Sequence, residues 1–296
     1  MPNTAVDTAP QTSDWSALLT QATALLTRLE NILPQPVTAP DWAQHTAFRW
    51  RKQGTQGHII AVQHPQLVDI QRLNGVDHQK QRILRNTTQF AAGHPANNVL
   101  LTGARGTGKS SLIKAMLPLF AAQGLRMIEV DKTLLVDLAD IIDQLTGRPE
   151  RFIVFCDDLS FEQDDASYMA LKVALEGSLA AMPNNMLIYA TSNRRHLMPE
   201  PQQDILSADM HSNETIEEKT ALSDRFGLWL SFYAFDQDTY LACVAQWLDE
   251  LGFQSHDPLQ LRREALQWAL TRGNRSGRTA WQFARDFAGK QLKEFG

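Results

Sequence analysis

The sequence predicts an α/β protein: a parallel sheet covered by helices on both faces, followed by a small all-helical domain. Three observations predict it. Five short apolar runs recur between Val99 and Phe232, with helical stretches between them. Apolarity within each run is continuous rather than alternating, which marks strands buried on both faces. After Ala234 the runs stop and three helical segments follow.

Composition bounds the answer before any element is read. The 296 residues suit about two domains, at ~150 residues each. Hydrophobic residues at 43% can build a core, and a net charge of −5 argues against a strongly basic polyanion-binding body. The two cysteines, Cys156 and Cys243, lie far apart, which excludes a disulfide framework and a cysteine-rich zinc site and suits a reducing compartment. No apolar run approaches the ~20 residues of a membrane span. Met1 to Thr12 is polar and lacks the basic-then-apolar order of a secretory signal. The expectation is a cytoplasmic protein with no membrane contact.

Residues 13–33 read as a helix, with a Ser13-Asp14 cap and Trp15, Leu18, Leu19, Ala22, Leu25, Leu26 and Leu29 at helical spacing. Pro34, Pro36 and Pro40 end it. Trp42, Phe48 and Trp50 follow, beside Arg49, Arg51 and Lys52. Aromatics among bases can stack nucleic-acid bases, but exposed aromatic patches are rare, so packing of a small N-terminal subdomain is favoured. The five strands are Val99–Leu101, Met127–Val130, Phe152–Cys156, Met186–Ala190 and Leu228–Phe232. Helices at Asp238–Leu251, Pro258–Arg272 and Gly277–Leu292 close the chain. The division expected is 1–65 as a helical accessory region, 66–235 as the α/β domain and 236–296 as a helical lid. Residues 150–224 carry fourteen acids against five bases, and 262–296 eight bases against three acids. These surfaces either meet each other or are simply solvated.

Gly103-Ala104-Arg105-Gly106-Thr107-Gly108-Lys109-Ser110 fits GxxxxGK[ST] directly after a strand and before a helix. Its glycines let backbone N–H groups turn inward on phosphate oxygens, and the helix start aims its dipole at the same anion. Lys109 should reach the β- and γ-phosphates, and the Ser110 hydroxyl should ligate Mg²⁺. The run Phe152–Cys156 then delivers Asp157 and Asp158 to the end of a buried strand, where open α/β sheets bind ligands. Asp157 would hold the metal, and Asp158 would orient or deprotonate an attacking water. Asn193, at the end of the next strand, can polarise a phosphate or hold that water. Leu222-Ser223-Asp224-Arg225-Phe226 precedes the last strand, and Ser276-Gly277-Arg278 opens the final helix.

In this order the motifs resemble those of the AAA+ ATPases over about residues 66–296. Pro95-Ala96-Asn97-Asn98, the phosphate loop through Ser111, Phe155-Cys156-Asp157-Asp158-Leu159 and Ser223-Asp224-Arg225-Phe226-Gly227 are similar to a bacterial AAA+ subfamily catalogued as domain of unknown function 815. The resemblance implies a five-stranded sheet in the order 5-1-4-3-2. It implies ATP with Mg²⁺ between sheet and lid, near Gly75 and Val76. It also implies a ring or dimer in which Arg225 reaches a neighbour's γ-phosphate while Arg278 contacts ATP from the lid. The alternative for Arg225 is a pairing with Asp224 or another local acid.

Two departures narrow the reading. Most AAA+ hydrolases resemble Asp-Glu where this chain has Asp157-Asp158, so slow, switch-like hydrolysis is expected, with Glu162 as a second candidate for activating water. The stretch Asp131–Leu145 contains no aromatic residue and no glycine, which disfavours a protein-threading loop. The expected function is an oligomeric ATP-hydrolysing remodeller or switch acting on an unknown protein client. The alternatives are a nucleic-acid-associated loader, supported by Arg194-Arg195 and the basic lid, and an ATP sensor with negligible hydrolysis.

Overall fold

The computed structural model describes residues 12–32, 39–161, 165–176, 182–194, 222, 224–253 and 257–293. The chain divides into two compact units. The smaller takes residues 1–39 and 52–58 and contains helix α1 (Thr12–Ile32), whose described apolar side chains are exposed. The larger takes residues 40–51 and 59–296 and contains the sheet core and the C-terminal helices.

The sheet corrects the five-stranded expectation. It has seven strands: β1 (Ala47–Gln53), β2 (Gln56–Ala61), β3 (Val99–Gly103), β4 (Leu125–Glu129), β5 (Arg151–Cys156), β6 (Met186–Ser192) and β7 (Leu228–Phe232), in the order β2-β1-β4-β5-β6-β3-β7. The two unforeseen strands lengthen the sheet beyond β4, where β1 pairs in parallel from Ala47 opposite Met127. They escape the buried-run pattern because β1 is two-sided: Phe48 and Trp50 face inward while Arg49 and Arg51 face out. Such alternation marks a half-buried strand.

That register also relocates the aromatics. Trp42, Phe48 and Trp50 are buried in the main core rather than in a separate N-terminal subdomain. Trp42 lies 4.3 Å from Phe48 and 5.1 Å, edge-on, from Phe152, ring centre to ring centre. The Trp50 indole N–H donates to Asp137 Oδ2 at 3.1 Å, which satisfies a buried donor.

Helices α2 (Asp77–Ala91), α3 (Lys109–Phe120), α4 (Leu138–Leu145) and α5 (Ala166–Glu176) occur between the strands. Two buried clusters use opposite residues of the same strands: Leu100, Val154 and Ile188 belong to one, and Leu101, Ile153 and Tyr189 to the other. Double coverage of this kind explains why the central strands read as unbroken apolar runs. Helices α6 (Gln237–Glu250), α7 (Pro258–Thr271) and α8 (Gly277–Lys293) build a third cluster around Tyr240, Phe283 and Ala284. Parallel pairing sets Thr102 opposite Ser192 and Gly103 opposite Phe232, and Cys156 opposite Ala190. The C-terminal ends of four strands therefore open at one edge. No described helix is long and apolar enough to cross a membrane.

Candidate functional site

Backbone geometry explains the glycines at the end of β3. Gly103 has φ 126°, and a Cβ there would stand 1.9 Å from the Phe232 carbonyl oxygen, so the loop can leave the sheet beside β7 only without a side chain. Gly106 has φ 76°, and its missing Cβ makes room for the Ser276 hydroxyl ahead of α8. The Arg278 N–H also donates to the Gly106 carbonyl at 3.2 Å. The glycine loop and the start of α8 are thus in contact.

Lys109 begins α3 and is buried at 6% exposure. Its ammonium donates to the Gly103 and Ala104 carbonyls, both at 2.7 Å, and to Asn193 Oδ1 at 3.0 Å. Burial pushes its pKa down to about 8, against the opposing pull of the Asp158 and Asp157 carboxylates.

The two aspartates leave β5 in different roles. Asp157 Oδ1 accepts from the Ser110 hydroxyl at 2.5 Å and from the Thr191 hydroxyl at 2.6 Å. Hydroxyl and carboxylate oxygens beside a phosphate loop suit Mg²⁺, which binds through one or two protein oxygens together with water and phosphate. The pair fits that ion. Asp158 is the one non-glycine residue at positive φ among the described residues, at 54°. Its N–H donates to Thr191 Oγ1 at 2.9 Å, and the next N–H, of Leu159, to the Thr191 carbonyl at 2.7 Å. These bonds hold a conformation that costs a side-chain-bearing residue on the order of 1–3 kcal/mol.

Asn193 joins the two charges. Its Nδ2 donates to Asp158 Oδ1 at 2.5 Å while its Oδ1 accepts from Lys109. An amide can offer a donor to a carboxylate and an acceptor to an ammonium at once, from two separate atoms.

A cleft of about 860 Å³ opens over these groups. Arg105 to Ser111, Asp157, Asp158, Asn193 and Arg278 line its polar side, and Val68, Leu73, Phe235, Trp247 and Trp281 contribute apolar surface. Gly75 and Val76 stand outside the lining: Gly75 packs against Thr239 of α6 and Val76 is buried. Leu73 and Asn74, just ahead of them, face the cleft instead. Neither the role of Thr191 nor the apolar wall was assigned from sequence. Thr191 carried a signal, since it shares the strand end with Asn193. The wall residues had none, because each is an ordinary apolar residue locally.

Arg225 does not line the cleft of its own chain. Its Nη2 makes an ion pair with Glu176 at the end of α5, and its Nη1 is buried with no hydrogen-bond partner among the described residues. The local-acid pairing is therefore present, with Glu176 rather than Asp224. Glu162, Arg195 and Ser223 lie outside the described residues.

Comparison with known proteins adds family and fold. A family model described as "Protein of unknown function (DUF815)" matches residues 43–291. No curated protein matches. Among solved structures, ORC1 of Aeropyrum pernix in complex with DNA is similar at a TM-score of 0.53 and 13% identity, over 75% of this chain and 61% of that one. A mutant RuvB of Thermotoga maritima gives 0.49 and 16%, over 73% and 64%. The FIGL-1 AAA domain in complex with ADP gives 0.49 and 17%, over 76% and 74%. The chain thus spans less than two thirds of that mutant RuvB chain and of the ORC1 chain. At 13% identity the ORC1 likeness shows the fold alone.

Proposed function

The chain belongs to the DUF815 family and has an AAA+ fold, and from that premise we propose that it is a cytoplasmic, oligomeric, Mg²⁺-dependent ATPase acting as a remodeller or switch on a protein client. In this reading residues 66–235 bind nucleotide and 236–296 form the lid. The observation that carries it is the bridge from Lys109 through Asn193 to Asp158, at the mouth of a glycine loop that admits no Cβ at Gly103.

The residues divide the work. Loop N–H groups and Lys109 hold the β- and γ-phosphates, and Arg278 approaches from the lid. Ser110 and Asp157 would hold magnesium, which when bound neutralises charge on the phosphate oxygens. Asp158 takes a proton from water as the water oxygen bonds to the γ-phosphorus and the bond to the β,γ-bridging oxygen breaks, giving ADP and phosphate. Asn193 fixes the direction of the Asp158 carboxylate and so acts through it. The apolar wall suits the base, and it closes only when the lid helices are in place.

Lys109→Ala tests the assignment. The lysine is the motif's one fixed cation on the phosphates, and a charge-assisted bond of this kind contributes ~1.5–3 kcal/mol. ATP affinity by calorimetry is expected to fall at least ~10-fold in a variant that still folds. Unchanged affinity would remove the phosphate-loop reading. Phosphate release by the parent chain separates the hydrolysing switch from a sensor that only binds.

The depressed lysine makes a second expectation. Its folded value of about 8 lies below the ordinary 10.5, so between those values the folded chain holds fewer protons at this site than the unfolded chain. Burying the ammonium costs stability below pH about 8, and the cost disappears as pH rises towards 10.5. ATP needs the charged form. Affinity should therefore decline as pH rises above about 8, with proton uptake on binding. Calorimetry in two buffers of different ionisation heat reads that uptake; binding without it above pH about 8 contradicts the expectation.

A further inference from the structure

We propose that Glu176 is a positioning residue for Arg225, holding its guanidinium against its own subunit until a neighbouring subunit's phosphoryl oxygens take the carboxylate's place. The proposal rests on the reading of Arg225 as acting in trans. It adds what sets the protein concentration at which that action begins.

The backbones on both sides are fixed. The Arg225 N–H donates to the Leu222 carbonyl at 3.3 Å, and Leu222 and Phe226, which bracket it, are buried. Leu171 and Tyr168 of α5 belong to the same buried cluster, and Leu175, beside Glu176, packs against it. The two elements therefore cannot drift apart. Any change of partner has to be made by the side chains.

The side chains are placed so that such a change is possible. Arg225 is 25% exposed and Glu176 38% exposed. A fully buried pair could not exchange partners with an incoming anion, and a fully exposed pair would hold little against water. The contact is made through Nη2, and Nη1 is buried without a hydrogen-bond partner among the described residues. One arm of the guanidinium fork is thus turned inward and unused among the described residues. A phosphoryl group offers two oxygens in the spacing the fork matches, and more negative charge than one carboxylate. Exchange gains a bond and a stronger partner, whereas in the isolated chain the carboxylate keeps the arginine occupied.

The ion pair then competes with assembly. Removing the charge at 176 should lower the protein concentration needed for half-maximal turnover, with nothing changed in the chain's own phosphate site. The experiment measures phosphate release against protein concentration, with saturating ATP and magnesium, for the full chain and for Glu176→Gln, Glu176→Asp and Arg225→Ala. Glu176→Gln is expected to reach half-maximal turnover at about threefold to fivefold lower concentration, the scale of one partly exposed ion pair. Its ATP affinity by calorimetry should match the parent's. Glu176→Asp, which keeps the charge, should stay close to the parent curve. A Glu176→Gln curve that superimposes on the parent, or moves to higher concentration, overturns the proposal. Loss of folding in Glu176→Gln overturns it too, because the pair would then be structural. The parent reading has its own arm. Normal turnover in Arg225→Ala removes the trans role and the proposal with it, whereas lost turnover there beside an unshifted Glu176→Gln removes the proposal alone.

Discussion

Arg225→Ala should bind ATP as the parent chain does and lose hydrolysis by about 10³–10⁵-fold, the scale of an arginine supplied to a transferring phosphoryl group. The side chain lies outside its own cleft, so its loss leaves the phosphate loop, Lys109 and the Asp157–Ser110 pair untouched. Its planar fork spreads over two phosphate oxygens, which a lysine cannot do, so Arg225→Lys should recover little. Specific activity of the parent should rise with protein concentration as subunits meet. Mixing Arg225→Ala with Lys109→Ala should restore some turnover, at junctions where an intact arginine faces an intact loop. Concentration-independent turnover with no rescue on mixing would place the arginine's action within its own chain.

Asp158→Asn should keep ATP and stop its hydrolysis, lowering phosphate release by about 10²–10⁴-fold, the usual scale of a positioned general base. The substitution is conservative at this position for two reasons. Asparagine tolerates the left-handed backbone that residue 158 adopts at φ 54°. Its Oδ1 can still accept from Asn193 Nδ2, the bond that now measures 2.5 Å. What it loses is the basic oxygen. Calorimetry should return the parent affinity and unfolding the parent midpoint, so the change reports chemistry rather than folding. Should Asp158→Asn turn over normally while Glu162→Gln does not, water activation belongs to Glu162.

The sequence carried much of the fold. Buried strands announce themselves as continuous apolar runs, the C-terminal helices as periodic ones, and the phosphate loop as glycines at fixed spacing. Each is a local pattern with a local cause, so β3 to β7, the three C-terminal helices and the glycine loop ending at Lys109 could be read from neighbouring residues alone.

Other features are set by partners distant in the chain, and only the tertiary structure decided them. β1 alternates buried Phe48 and Trp50 with exposed Arg49 and Arg51, so its place in the sheet depends on its pairing with β4 rather than on its own composition. Thr191 holds both the Asp157 side chain and the Asp158 backbone because the β5–β6 register brings them level. The apolar cleft wall joins Val68 and Leu73 to Trp247 and Trp281, which lie far apart in the chain. Arg225 is paired with Glu176 because α5 and the turn before β7 share one core. Periodicity and spacing encode which groups a segment can offer. Which group each one meets is fixed by packing between segments, and that information has no local signature.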